Sequence, residues 1–262
     1  MILKVVDNRG CLVWYNTKIK KYSDGSEYVS KYSSLIGLGF PRVSNIKRIN
    51  KSENIKSSYK SLYRSKSKLI DLAIENGPWE YFVTLTFDKT KVKSRYDYNE
   101  ISKCFTKWSD LVKHSNKDFS YVFTTEKHKD GAFHLHGLIK NVPNLKIIRA
   151  LNKLGRGLVK NGCKIYNIKN FKFGNTELSF IKNQEAVSIY MSKMSKYMTK
   201  DLIDLGFKKK YFRSNNLREP VIEYSIFTDN DLSFYYDNNV ISFYKTIKRD
   251  NFQVDYLKKI RI

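Results

Sequence analysis

Residues 121–139, YVFTTEKHKDGAFHLHGLI, contain two runs rich in aromatic and β-branched residues on either side of a short polar segment. Two such runs separated by Asp130-Gly131 predict two strands joined by a tight hairpin. Because side chains two apart in a strand share a face, His134 and His136 point one way and Leu135 points the other. The stretch therefore places two imidazoles side by side on one face of an antiparallel sheet.

The length of the hairpin loop decides which residue lies across from His134. If the loop is Lys129-Asp130-Gly131, with Gly131 in the left-handed conformation, Glu126 lies directly opposite His134 and shares its face. A two-residue Asp130-Gly131 turn would shift the register by one and turn Glu126 to the other face. We expect the three-residue loop, or a five-residue loop with the same register. His128 then lies at the loop edge on the same face.

Two imidazoles and one carboxylate are common metal ligands, and three protein ligands leave positions open for water and substrate, as in catalytic sites. Ligand type alone allows Zn as readily as Mn or Mg. The two histidines by themselves are equally compatible with surface residues on a half-exposed strand. The added carboxylate favours a metal site formed by Glu126, His134 and His136.

The composition indicates a polyanionic partner. The chain of 262 residues has 49 Lys and Arg against 25 Asp and Glu, a formal net charge of +24, and 15% of its residues are aromatic. Aromatics interleaved with cations stack bases and bind phosphates, so we expect nucleic acid first and an anionic membrane surface second. No CxxC pair, signal peptide or apolar run near about 20 residues occurs, which predicts a cytoplasmic protein that does not enter the membrane.

The pattern along the chain predicts an α+β fold. We expect residues 1–50 to form an N-terminal extension of short strands and turns, residues 51–227 the main domain, and residues 228–262 a C-terminal tail packed on it. Helices are predicted at 53–75, 98–113 and after Pro143, and strands at 81–87, 121–126, 132–139 and 164–173. This order, with a hairpin in its middle, favours a central antiparallel sheet that carries the histidines and is flanked by helices.

A long helix predicted over residues 184–205 contains Tyr190 and Tyr197, each followed three residues later by a lysine, Lys193 and Lys200. Seven residues bring a helix back to within about 20° of its starting direction, so the two tyrosines share a face. A nearby cation favours the phenolate, the form that attacks a phosphodiester. The same positions form an apolar stripe typical of a core. Both interpretations hold if the stripe packs against the sheet that carries the histidines.

Together these segments resemble the HUH endonuclease superfamily and, within it, the rolling-circle replication initiators of bacterial plasmids and single-stranded DNA phages. Residues 82–87 (FVTLTF) resemble its first motif, residues 133–138 (FHLHGL) the paired histidines of its second, and residues 197–200 (YMTK) its third, which carries the nucleophile. The tyrosines follow the histidines, whereas relaxases of the superfamily have the reverse order. The resemblance covers roughly residues 55–225 and favours an initiator.

The resemblance implies that Glu126, His134 and His136 bind Mg or Mn and that Tyr197 attacks the scissile phosphate of single-stranded origin DNA, with Lys200 steadying the developing charge. It implies a 5′-phosphotyrosine link and a free 3′-OH that primes rolling-circle replication in a bacterial host. The host replication machinery is then a further candidate partner. Two-tyrosine members usually space these residues four apart, whereas here the gap is seven, so we expect Tyr190 to be a packing residue or a subsidiary acceptor.

Two basic segments are candidates for DNA contact, and a solvated charged face is the other interpretation of each. Their residues are Lys60, Arg64, Lys66 and Lys68, and Lys208, Lys209, Lys210 and Arg213. Two alternatives to the initiator stay open: a non-catalytic, sequence-specific DNA-binding protein such as a repressor, and a transposase or relaxase of the same superfamily. A repressor would bind DNA in a salt-sensitive way without cleaving it.

Overall fold

The computed structural model describes residues 3–4, 13–38, 51–143, 145–183, 187, 190–191, 194, 196, 211–237, 241–249 and 252–260. The chain divides into two compact units, one formed by residues 1–49 and 219–262 and the other by residues 50–218. Each unit contains an antiparallel sheet, and helices occur in both. The predicted α+β class is confirmed.

The strands are, in chain order, β1 (Leu3–Lys4), β2 (Val13–Lys21), β3 (Glu27–Leu38), β4 (Tyr81–Phe87), β5 (Ser120–Lys127), β6 (Phe133–Lys140), β7 (Ile147–Arg149), β8 (Val159–Lys160), β9 (Cys163–Ile168), β10 (Gly174–Phe180), β11 (Tyr211–Arg213), β12 (Val221–Ile226), β13 (Ile241–Arg249) and β14 (Phe252–Lys259). The helices with defined bounds are α1 (Lys51–Glu75), α2 (Tyr98–Ser115) and α3 (Asp229–Asp237).

Helices α1 and α2 confirm the two helices predicted before and after β4. The Asp97 side chain accepts a hydrogen bond from the Asn99 amide at 2.9 Å and so caps the first turn of α2. The buried side chains of α2 include Ile101, Phe105 and Trp108, whose helical spacing gives one apolar face. No helix within the described residues is both long enough and apolar enough to cross a membrane.

The larger unit is organised around one sheet with the strand order β11-β5-β6-β4-β10-β9-β7, in which β8 also pairs with β9. One face of this sheet packs against α2 in a core rich in aromatic residues, among them Phe87, Phe105, Trp108, Phe119, Phe123, Phe133 and Leu135. The opposite face packs against α1 and a second helical segment, in a core that includes Leu62, Leu69, Leu72, Val122, Leu138, Val187, Met191 and Met194. The sheet is therefore covered on both sides.

The hairpin between β5 and β6 has the predicted register. Glu126 pairs with His134 across the two strands. The His128 amide donates to the Ala132 carbonyl at 2.9 Å, which leaves a three-residue loop, and Gly131 has a φ of 87°. A left-handed glycine at this position allows the odd loop length that keeps Glu126 on the histidine face. The three-residue loop is confirmed.

Two predictions beyond Pro143 are wrong. The segment expected to be a short helix contains β7, and three apolar residues of its expected buried stripe, Ile148, Leu151 and Leu154, are exposed. A turn with Gly155 at a φ of 72° follows them, and such a conformation ends a helix. The strand predicted at 164–173 ends at Ile168, and a separate strand, β10, follows it. These apolar residues fit a two-residue and a helical period equally well over so short a stretch.

The long helix predicted at 184–205 is described at five positions, and all five are helical: Val187, Tyr190, Met191, Met194 and Lys196. We call these positions the Tyr190 segment. Its residues Val187, Met191 and Met194 are buried, so its apolar stripe packs in the core on one face of the sheet. Tyr197 and Lys200 lie outside the described residues.

The smaller unit contains a six-stranded sheet with the order β1-β12-β2-β3-β14-β13. The predicted N-terminal extension supplies β1 to β3 and the predicted C-terminal tail supplies β13 and β14, so both ends of the chain form one sheet. Buried Ile19, Val29 and Leu257 lie on one face, where Leu232 and Tyr235 of α3 pack against them. Helix α3 was not among the predicted elements.

Candidate functional site

The imidazoles of His134 and His136 are each held by a threonine of the neighbouring strand β4. Thr86 Oγ1 lies 3.0 Å from Nδ1 of His134, and Thr84 Oγ1 lies 3.1 Å from Nδ1 of His136. The strand pairing places each threonine directly opposite its histidine. Because both Nδ1 atoms bind hydroxyls, Nε2 is the nitrogen of each ring on which a further ligand would have to bind.

Glu126 joins the two histidines from the other side. Its Oε2 lies 2.6 Å from Nε2 of His136, a contact that is both a hydrogen bond and an ion pair when the ring is protonated. The hydrogen bond from His136 lowers the pKa of the Glu126 carboxyl below its usual range, although partial burial opposes this. The carboxylate is therefore ionised at neutral pH and available to a cation.

His128, at the edge of the hairpin loop, stacks on His134 with ring centroids 3.9 Å apart and planes 14° from parallel. Burial lowers the pKa of His134 to about 4, and the nearby His128 and His136 act in the same direction. The His134 ring is therefore neutral at pH 7, which is the protonation state that a metal-binding imidazole requires.

The Tyr190 segment reaches the same face of the sheet. The ring of Tyr190 stacks on Phe82 with centroids 4.6 Å apart, and Phe82 in turn stacks on His136 at 6.2 Å, each with planes 16° apart. Thr124, opposite His136 on β5, lies 3.5 Å from the Met194 carbonyl. These contacts place the Tyr190 segment over the face that carries Glu126, His134 and His136.

The donors on this face are chemically suited to a divalent cation, since they comprise two imidazole nitrogens and a carboxylate. In the described part of the chain, however, no three His, Cys, Asp or Glu side chains are already grouped as the ligands of one ion. The short contact between Glu126 and His136 occupies the carboxylate that a cation would need. A bound cation would take the place of the proton shared in that contact.

The predicted DNA-contact residues are only partly described. Arg64 is exposed on α1, and Lys66 and Lys68 are partly exposed. Arg213, on β11, is partly exposed and pairs with Val122, which puts it on the histidine face of the sheet. The side chain of Lys60 and the residues Lys208, Lys209 and Lys210 lie outside the described residues.

Sequence reasoning did not assign Thr84, Thr86 or Phe82 a role beside the histidines. A signal was present, because a buried strand with a polar residue at every second position has one face that needs hydrogen-bonding partners. The histidines are the partners of these hydroxyls, at separations of 52 and 48 residues along the chain. Only the β4–β6 pairing, which no local pattern defines, brings them together.

Comparisons with known proteins bear on the part of the chain that forms this face. No curated protein and no solved structure matches the chain. Residues 80–202 match the family model of the replication-associated protein ORF2, and this span contains β4, the β5–β6 hairpin and the Tyr190 segment. The match supports a replication initiator family for this chain and a role in DNA replication.

Proposed function

We propose that the chain is a replication initiator that nicks single-stranded origin DNA by tyrosine transesterification and leaves a 3′-OH that primes rolling-circle replication. The observation that carries the proposal is the register of the β5–β6 hairpin. It brings Glu126, His134 and His136 onto one sheet face, and β4 anchors both imidazoles there through threonines. The match of residues 80–202 to a replication-associated family supports the same conclusion.

Glu126, His134 and His136 are the residues that would hold Mg or Mn. Metal-binding histidines usually hydrogen-bond through the second ring nitrogen to an oxygen, which fixes the tautomer, and Thr84 and Thr86 supply such oxygens here. A divalent cation held by this set would act as a Lewis acid on the scissile phosphate. The three protein ligands leave coordination positions for a phosphate oxygen and water.

Tyr197 is the proposed nucleophile. Its phenolic oxygen forms a bond to phosphorus, the bond from phosphorus to the 3′ oxygen breaks, and the 3′ oxygen takes up a proton while the phenol gives one up. The product is a 5′-phosphotyrosine and a free 3′-OH, and reversal of the step joins two ends. Lys200 would stabilise the negative charge that develops on the phosphate.

Tyr190 is better suited to packing than to attack. Its ring lies parallel to that of Phe82, which itself lies against His136, so Tyr190 is engaged in an aromatic stack. In such a stack the ring contributes to the position of the Tyr190 segment over the sheet. This role supports Tyr197 as the attacking residue of the pair.

The charge of the chain supports a DNA substrate. A formal net charge of +24 attracts a polyanion, and Arg213 lies on the same face of the sheet as the histidines. Arg64, Lys66 and Lys68 on α1 are further candidates for phosphate contact, together with Lys60 and the run of lysines from 208 to 210. Contacts of this kind position the strand without reading its sequence.

The experiment that tests the proposal is a covalent-adduct assay. The purified full chain is incubated with labelled single-stranded origin DNA and Mn²⁺, and protein–DNA adducts are separated by denaturing electrophoresis. We expect an adduct with the wild type and with Tyr190→Phe, and none with Tyr197→Phe. Adduct formation by Tyr197→Phe but not by Tyr190→Phe would assign the attack to the other tyrosine. Salt-sensitive DNA binding without any adduct would indicate the repressor instead.

A further inference from the structure

We propose that the six-stranded sheet of the smaller unit carries a second nucleic-acid site, a platform that binds unpaired bases of single-stranded DNA on one of its faces. This site lies outside the span that matches the replication-associated family, since that span covers residues 80–202 and the sheet is formed by strands from both ends of the chain. The proposal does not depend on nicking.

The platform is defined by the strand register. One row across the sheet runs through Ile222, Lys20, Tyr28, Lys258 and Phe243, and the next runs through Tyr224, Lys18, Ser30, Tyr256 and Lys245. We call this the tyrosine–lysine face. Because directly paired residues share a face, all of these side chains lie on the same side of the sheet.

Charge is separated between the two sides of the sheet. The acidic residues of its described strands, Glu27, Glu223 and Asp255, pair with residues of the opposite face, where α3 packs. On that side Lys21 forms an ion pair with Glu223, and Lys259 with Glu27. In the described strands, the tyrosine–lysine face carries lysines and no carboxylate. A polyanion is thus the complementary ligand for that face.

Aromatic rings on this face are accessible to a ligand. Phe243 is 50% exposed, and the rings of Tyr28, Tyr224 and Tyr256 are partly exposed. The Lys258 ammonium lies 5.5 Å from the centroid of the Tyr28 ring, so a cation and an aromatic surface are presented together. Single strands bind to this combination, because bases stack on the rings while cations contact the backbone.

The size of the face suits a short strand. A row that crosses from β12 to β13 passes four strand spacings, roughly 19 Å. Sheets that bind single-stranded RNA stack two or three bases on the aromatics of one face. Base pairing would remove the exposed base surface, so a duplex satisfies the lysines of this face and leaves its rings unused. The combination of rings and lysines therefore favours an unpaired strand.

The edge strand β13 supplies a matched pair of variants. Phe243 and Lys245 lie on the tyrosine–lysine face, whereas Tyr244 and Lys248 alternate with them on the opposite face. Phe243 and Tyr244 are equally exposed, at 50% and 51%. The double variant Phe243→Ala/Lys245→Ser therefore removes one ring and one cation from the platform. Its control, Tyr244→Ala/Lys248→Ser, removes the same groups from the other side of the same strand.

The test measures binding of fluorescein-labelled oligo(dT) of about 16 nucleotides to the full chain by anisotropy in EDTA, where metal-dependent cleavage does not occur. We expect the platform variant to lose about tenfold in affinity and to show a smaller salt dependence, by about 0.7 in the log–log slope for the lost lysine. The control variant should lose less than about twofold. An equal loss in both variants, or none in either, would overturn the proposal.

A second measurement is independent of any variant. Oligo(dT) carrying 5-iodouracil is photocrosslinked to the wild-type protein, and the crosslinked peptides are identified by mass spectrometry. We expect crosslinks to Tyr28, Tyr256 or Phe243. Crosslinks confined to residues 50–218 would contradict the platform, and so would a duplex competitor that blocks them as well as single-stranded DNA does.

Discussion

The two faces of the eight-stranded sheet are formed by alternate residues of the same strands, and they differ in chemistry. On β6, Leu135 is fully buried against α2 in the aromatic core, whereas the adjacent His134 and His136 bind threonine hydroxyls on the other side. On β5, Phe123 belongs to the aromatic core and Glu126 to the histidine face. One face is apolar and densely packed, and the other combines a smaller apolar core with polar, titratable groups.

This difference shows how the apolar face positions the polar one. A shift of one residue between β5 and β6 would turn Leu135 and Phe123 out of the core, and burial of these side chains opposes that shift. The same register places Glu126 opposite His134. Hydrophobic packing on one side of the sheet thus fixes the arrangement of donors on the other. The comparison predicts that neighbouring residues of β6 have separable effects on activity and on stability.

The largest expected effect is that of His136→Ala on activity. Loss of one imidazole from the proposed metal site removes several kcal/mol of transition-state stabilisation, so adduct formation should fall at least about 1,000-fold. The free energy of unfolding should fall by only about 1–2 kcal/mol, because two hydrogen bonds are lost. Adduct yield and urea unfolding of the same preparation measure the two effects. Adduct formation at the wild-type rate would contradict the assignment of this face.

Leu135→Ala should have the opposite effect. The side chain is 0% exposed, and its truncation leaves a cavity in the aromatic core, which costs about 2–5 kcal/mol of stability. The adduct rate per folded molecule should stay close to that of the wild type at low temperature. Urea unfolding followed by tryptophan fluorescence gives the stability. A selective loss of activity with unchanged stability would show that the two faces are not separable.

Gly137→Ala provides a sharper test at the residue next to His136. A Cβ at this position would lie 2.3 Å from Cδ1 of Phe123, so the ring must move. Such overpacking costs about 1–3 kcal/mol, again on the aromatic face. We expect a lower midpoint of urea unfolding with the proposed metal affinity retained. An unchanged midpoint would mean that the Phe123 ring has room that the structure does not show.

Thr84→Val should have the smallest of these effects and the most specific one. It removes the hydroxyl that binds Nδ1 of His136 with little change in shape, and loss of such an outer hydrogen bond lowers metal affinity by about 10–100-fold. The matched control is Thr124→Val, because Thr124 lies opposite His136 on the other neighbouring strand but hydrogen-bonds the Met194 carbonyl. Calorimetric titration with Mn²⁺ compares them. Equal affinities in the two variants would remove the proposed role of Thr84.

Local patterns were sufficient for the central part of the larger unit. The periodicity of α1 and α2 and the turn chemistry around Gly131 act over a few residues, and the predicted register of Glu126 and His134 is the one observed. Local patterns failed after Pro143, because exposed apolar residues such as Leu151 and Leu154 imitate the stripe of a buried helix.

The remaining features depend on pairings between distant parts of the chain. The six-stranded sheet joins β1 to β12 and β3 to β14, over about 200 residues of separation, and no periodicity within one strand identifies its partner. The contacts of Thr84 and Thr86 with the histidines depend in the same way on the β4–β6 pairing. The donors of the candidate site were therefore predictable from sequence, and the groups that orient them were not.

The measurement that tests the central claim most directly is Mn²⁺ binding by the histidine face. Titration of the full chain with Mn²⁺, followed by loss of the electron paramagnetic resonance signal of the free ion, counts bound ions without any need for DNA. We predict one ion per wild-type chain and loss of that binding in the double variant His134→Ala/His136→Ala, with Thr124→Val unchanged. Binding of the same stoichiometry and affinity by the double histidine variant would contradict the account.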